Sequence, residues 1–276
     1  MITSTIILFA TLAQPIHLDP PQPHFESNSP IATVADHSLN RAPFHDRKIY
    51  REDGLELTDE QKAIADRFNA TEVCFKEDGR VSLRYEFESK NEALLDDWQV
   101  RAKKRQAVRW SQRYEGSTTH SHDGLIIADS GAFLHNANWL DAKVELDYLS
   151  IAGTRSQDLL AAVFVFDKGR RAVGSHIGEQ CVQLKGLKRT SKCIPRKNEA
   201  TLAHDRRVRF GFELDKGVVK STLNGVPTND SHKDPKFTRK LTPGKSGLVW
   251  QGRVQGFILD LTIEGRLDPK WIASGK

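Results

Sequence analysis

From Thr71 onward apolar and polar residues alternate with a period of two, and nothing else in the chain constrains its fold as strongly. In VRFGFELD, Val208, Phe210, Phe212 and Leu214 fall on one side, with Arg209, Gly211, Glu213 and Asp215 on the other. FILDLTI groups Phe257, Leu259, Leu261 and Ile263, and VELDYLS groups Val144, Leu146 and Tyr148. Successive strand side chains point to opposite faces, so these segments predict strands with one buried and one wet face. Turn dipeptides punctuate them, among them Asp78-Gly79, Asp123-Gly124, Asn224-Gly225 and Pro243-Gly244. About a dozen strands at such spacing predict a sandwich or barrel. No long helices alternate with the strands, which argues against a parallel α/β sheet.

This all-β body is expected over residues 71–271. Ahead of it, LTDEQKAIADRFNA signals one short helix within a lead-in over residues 51–70: Thr58 is the N-cap, Gln61 stands three residues on, and Ile64, Ala65 and Phe68 form the apolar stripe. Residues 14–50 are rich in Pro, Ser, Asn and His without apolar periodicity, the composition of a disordered linker. Residues 1–13, with an apolar stretch from Ile6 to Ala13, read as a signal peptide that lacks the usual positive start; the alternative is a buried N-terminal strand. The first reading places the protein outside the cytoplasm, in a periplasmic or extracellular setting. No apolar run reaches the roughly 20 residues that a membrane-spanning helix needs.

The segment LLAAVFVF, Leu159–Phe166, is apolar on both faces. A strand of a two-layer sandwich has one core face, so its other face needs a cover, and a groove is expected there. Charge is close to balanced, 41 basic against 36 acidic residues for a net +5. The densest basic run, Arg101 to Arg113, surrounds Trp110 but has no nucleic-acid motif beside it, so it reads as a solvated segment with Trp110 turned inward, and no nucleic-acid partner is expected. Of three cysteines, Cys181 and Cys193 flank a segment able to return as a hairpin; in an oxidising compartment they are expected to pair, leaving Cys74 a buried thiol. His120, His122 and Asp123 in THSHDG are the candidate ligands for a divalent metal, since His-x-His sets two imidazoles on one side of an extended strand. A polar loop explains the same residues, and no cofactor is expected.

Taken in order, VSLRYEFESKNEALLDDWQV, HDGLIIADSGAFL, AKVELDYLSI, ELDKGVVKSTLNG and GLVWQGRVQGFILDLTIEG resemble the concanavalin A-like lectin/glucanase superfamily, especially its bacterial 3-keto-disaccharide hydrolase-like and laminin-G-like members. The resemblance spans roughly residues 72–265 and implies a jelly-roll sandwich used for glycan hydrolysis or glycan binding. Retaining β-glucanases of this superfamily carry Glu-x-Asp-x-Glu or Glu-x-Asp-x-x-Glu on one strand. Glu145 and Asp147 match the first two positions, while Leu149 or Ser150 stands where the acid belongs. Two carboxyls are required for that chemistry, so the strand is expected not to hydrolyse β-glucans. A bland alternative for Glu145 and Asp147 is the wet face of an antiparallel strand.

Three functions follow as expectations. The first is an exported non-catalytic module that associates with a glycan or cell-envelope polysaccharide, with Trp110 and Trp139 as its aromatic contacts and Trp250 as a further candidate. The second is a sugar-processing hydrolase with an atypical site, acting on a 3-keto-disaccharide-like substrate. A scaffold for protein interaction is the third.

Overall fold

The computed structural model describes residues 47–88, 90–102, 108–111, 124–128, 130–151, 159–166, 171–177, 181–185, 191–195, 206–216, 218–227, 232–233, 242–251 and 254–275. His120, His122 and Asp123 of THSHDG, the signal-peptide stretch and almost all of the linker-like stretch lie outside them. Two antiparallel-rich sheets face each other across one core, a β-sandwich of the jelly-roll type. The larger sheet runs β1 (Lys48–Arg51), β2 (Glu72–Phe75), β3 (Val81–Glu86), β18 (Gly256–Gly265), β8 (Ala142–Ser150), β13 (Arg206–Asp215), β14 (Val218–Leu223) and β15 (Val226–Pro227). Beside this path β6 (Gly124–Ile127) joins β18 and β5 (Val108–Ser111), and β16 (His232–Lys233) joins β14. The smaller sheet runs β12 (Ser191–Pro195), β11 (Cys181–Lys185), β10 (Arg171–Ile177), β9 (Leu159–Phe166), β17 (Lys245–Gln251), β7 (Gly131–His135) and β4 (Trp98–Ala102).

Alternation becomes layering as predicted in β8 and β13. Val144, Leu146, Tyr148, Val208, Phe210, Phe212 and Leu214 enter the main core, leaving Glu145, Asp147, Arg207 and Arg209 on the outer face. In β18 the predicted alignment fails. Ile258, Leu261 and Ile263 take the core, while Phe257 and Leu259 join Ile126, Leu149 and Ile151 in a separate apolar cluster. The cause is an extra residue: pairing with β8 passes from Ile258–Tyr148 to Asp260–Asp147, so Leu259 is a β-bulge that shifts the phase of the strand.

The Asn224-Gly225 turn closes a two-residue hairpin between β14 and β15, with Leu223 opposite Val226. Both residues have positive φ, 51° and 79°, as a type I′ turn demands. Asn224 Oδ1 also accepts from the Arg209 backbone N–H at 2.9 Å, tying the turn to β13.

Helix α1 (Asp59–Ala65) forms with the predicted capping box, Thr58 and Gln61 each bonding the other's backbone N–H. It ends before Phe68, whose ring instead stacks on Trp271 of a second short helix, α2 (Pro269–Ala273). The predicted linker also stops short of residue 50, because Lys48–Arg51 forms β1 in parallel with β2. Both faces of β9 are buried as its composition predicts: Leu160, Ala162, Phe164 and Phe166 in the main core, Ala161 and Val163 in a small outer cluster with Ala132, Leu134 and Val249.

Strands β11 and β12 form the predicted hairpin return, with Cys181 opposite Pro195 and Cys193 opposite Gln183. A bond between the cysteines would have to join a diagonal pair, with Cα atoms about 7–8 Å apart in a regular ladder, beyond the usual disulfide range, so the backbone would have to draw in. The pairing stands as a proposal. Non-reducing peptide mapping of exported protein is expected to give a linked Cys181–Cys193 peptide, and free thiols at both positions exclude it.

Candidate functional site

The cleft of interest lies on the outer face of the large sheet, not over β9 where the apolar run pointed. Its volume is about 590 Å³. Adjacent strands present their outward residues in register, and two rows cross it. One row runs Glu86, Asp260, Asp147 and Arg209; the next runs Glu72, Arg84, Thr262 and Glu145. Leu259 lines the apolar end and Arg207 the β13 side.

The two carboxylates singled out by sequence lie in this cleft, and both are held. Arg207 grips Asp147 with Nη2 at 2.6 Å and Nε at 2.9 Å. Glu145 sits between Lys143 Nζ at 3.0 Å and Arg209 Nη2 at 2.8 Å. Partial burial pulls the Glu145 carboxyl upward, and the bonds from Lys143 and Arg209 more than offset it, so its pKa lies below the ordinary value. Such a carboxylate stays ionised and is a poor proton donor.

Asp260 is the opposite case. Burial raises its pKa, Arg84 opposes the rise from 2.6 Å, and Glu86 adds to it. Three carboxylates on neighbouring strands, Glu86, Asp260 and Asp147, thus stand side by side, an arrangement that ordinarily destabilises a sheet. Arg84 offsets part of it, bonding Asp260 and also Glu86 at 2.9 Å. The single-strand motif gave no hint of Asp260, because its outward position depends on the bulge. The available signal was the conflict within FILDLTI, where apolar residues occupy adjacent positions 257–259 and then alternate positions 261 and 263.

The aromatic candidates fall elsewhere. Trp139 has no exposed surface and Trp250 about 1%, so neither ring offers a platform to solvent. Trp250 Nε1 donates to the Ala128 carbonyl at 2.9 Å, which fixes it as a core residue. Trp110 is partly buried against the main core, 5.9 Å from the Phe87 ring, turned inward as its basic neighbourhood suggested. Among the described residues, no group of three or more His, Cys, Asp or Glu side chains is placed to hold a metal ion.

A second polar cluster is buried inside the sandwich. Ala137 N–H donates to His135 Nδ1 at 3.1 Å, which leaves the ring proton on Nε2. That proton faces Tyr85 Oη at 2.8 Å, and Tyr85 in turn donates to Asp97 Oδ2 at 2.7 Å. Asn69 adds its backbone N–H at 2.6 Å and its amide at 3.0 Å to the same carboxylate. Sealed from solvent, this relay joins β3, β7, the residues after α1 and the 3₁₀ turn Glu92–Asp97.

The fold defines the class: a two-sheet jelly-roll sandwich with a charged cleft on the outside of its larger sheet. Comparison with known proteins adds no argument to it. The sequence matches no protein-family model, and no curated protein is significantly similar to it. Among solved structures, the Crh5 transglycosylase is 13% identical with TM-score 0.49, covering 68% of this chain and 85% of its own. A protein of unknown function with a galectin-like fold from Bacillus subtilis is 14% identical with TM-score 0.45, covering 66% and 96%. The carbohydrate-binding module CBM66 from Bacillus subtilis is 13% identical with TM-score 0.38, covering 62% and 93%. At these values no substrate, activity or residue role passes to this chain.

Proposed function

We propose that the chain is an exported, non-catalytic module that binds a glycan across the outer face of its large sheet. The observation that carries this reading is the cleft itself: a broad polar surface of carboxylates and guanidiniums, with Glu145 and Asp147 locked into ion pairs. Carboxylates offer acceptors and guanidiniums offer donors, the complement that sugar hydroxyls need. Glu72, Glu86, Glu88, Glu145, Asp147 and Asp260 outnumber Arg84, Arg207 and Arg209 six to three, a local charge of −3. Neutral glycans fit this surface better than polyanionic ones. Export rests on the N-terminal apolar stretch.

A second reading, a hydrolase with an atypical site acting on a 3-keto-disaccharide-like substrate, is favoured by one observation. Asp260, with its raised pKa, lies in register with the arginine-bound Asp147. One experiment separates the two: a broad glycan array run beside turnover assays on β-glucans and 3-keto-disaccharides, with wild type, Glu145→Gln and Asp260→Asn. Binding without sugar release is the expected result. Turnover that disappears in Asp260→Asn overturns the non-catalytic reading in favour of the second. Turnover lost in Glu145→Gln shows instead that Glu145 reacts, against the locked geometry.

A further inference from the structure

One exposed aromatic ring stands at the edge of the cleft, and it is not a tryptophan. In β1, Ile49 packs toward the core, which leaves Lys48 and Tyr50 on the outer face with Glu72 of β2. Tyr50 keeps 41% of its surface exposed, more than any other aromatic side chain among the described residues. Its hydroxyl donates to Glu72 Oε1 at 2.5 Å. Glu72 lines the cleft and lies 3.8 Å from Arg84, which binds Asp260. The ring is thus fixed at its polar tip by the same network that forms the cleft floor. The Glu72 hydrogen bond, helped by partial burial, also raises the phenol's pKa, so the ring stays neutral.

We propose that Tyr50 is the stacking platform of the glycan site, taking the apolar C–H face of one pyranose while the following sugars run over β3 and β18 toward Arg207 and Arg209. This rests on the glycan-binding reading and adds to it a contact residue and a direction. A pyranose is apolar on its faces and polar around its rim. Laid on a phenol ring it removes apolar surface from water, and its rim hydroxyls remain free to meet charged side chains. A tyrosine anchored by its hydroxyl suits this task, because few torsions remain to be frozen on binding. From β1 to β13 there are five strand intervals, a path of about 24 Å at about 4.8 Å each, enough for several sugar residues.

The test titrates neutral β-linked hexasaccharides of glucose and of N-acetylglucosamine into the full chain by calorimetry and ultraviolet difference absorption. Tyr50→Ala is expected to lose at least about tenfold in affinity, and Tyr50→Phe to stay within about threefold of wild type. Wild type is expected to show a tyrosine difference band that vanishes in Tyr50→Phe although that variant still binds. Unchanged affinity in Tyr50→Ala overturns the platform and leaves the glycan reading intact. Should that variant fail to fold, absence of the tyrosine band in ligand-bound wild type overturns it instead. A wild type that binds neither these sugars nor any glycan on the array overturns both.

Discussion

Asp97→Ala is expected to destabilise the protein by about 3–5 kcal/mol, because it strips the acceptor from three buried donors at once. The Tyr85 hydroxyl, the Asn69 backbone N–H and the Asn69 amide all converge on this carboxylate. None can turn to water, since Tyr85 has no exposed surface and Asn69 keeps only 9%. In a domain of this size the loss corresponds to a fall in Tm of roughly 10 °C or more. Tyr85→Phe is milder, about 1–3 kcal/mol, since it mainly leaves the His135 Nε2 proton unpaired. Urea unfolding of the three proteins checks the order. If Asp97→Ala matches wild type, the relay is not holding β3, β7 and the 3₁₀ turn together.

The same relay carries two opposed pH dependences, and Asp97→Asn is expected to expose one of them. Burial, reinforced by Lys245, lowers the His135 pKa to about 3. As pH falls through the ordinary histidine range the unfolded chain takes a proton that the folded chain refuses, so stability falls. Burial raises Asp97 to about 6, against the bonds from Tyr85 and Asn69. Here the folded chain takes its proton first, and stability rises as pH falls from about 6 toward the ordinary carboxyl value. Across that window the two slopes cancel in wild type. Asp97→Asn removes the compensating carboxyl, so the variant is expected to lose up to about 1.4 kcal/mol per pH unit relative to wild type between pH about 6 and about 4. Urea midpoints at three pH values measure the difference, in which all other groups drop out. Parallel slopes would count against an Asp97 whose carboxyl is raised by burial.

How much of this was readable beforehand depends on whether a feature is local. The core faces of β8 and β13, the capping box at Thr58 and Gln61, and the tight Asn224-Gly225 turn are each decided within a few residues, and each appears as read. The cleft is a product of pairing. Asp260 meets Asp147 only because β18 lies beside β8 and carries a bulge, and no stretch of sequence states either fact. Tyr50 sits in a segment whose composition suggests a linker, yet parallel pairing with β2 makes it part of the sheet. The tryptophans misled for a related reason: size and aromaticity suit a sugar platform and a core equally, and Trp139 is buried in the core.

The bulge at Leu259 means that β18 is written in two phases. Upstream of it Phe257 points outward; downstream Asp260 and Thr262 do, and the inserted residue absorbs the mismatch. Strands usually answer loss of one residue by turning everything beyond it inside out. Here there is a single address where the two phases rejoin if a residue is removed. Deleting Leu259 would leave Ile258 in the core and Asp260 facing the cleft, and deleting Ile258 would set Leu259 in the same core position, whereas deleting Leu261 would exchange core and cleft residues beyond it. The length of this strand is therefore negotiable at the bulge alone, and the bulge borders the cleft.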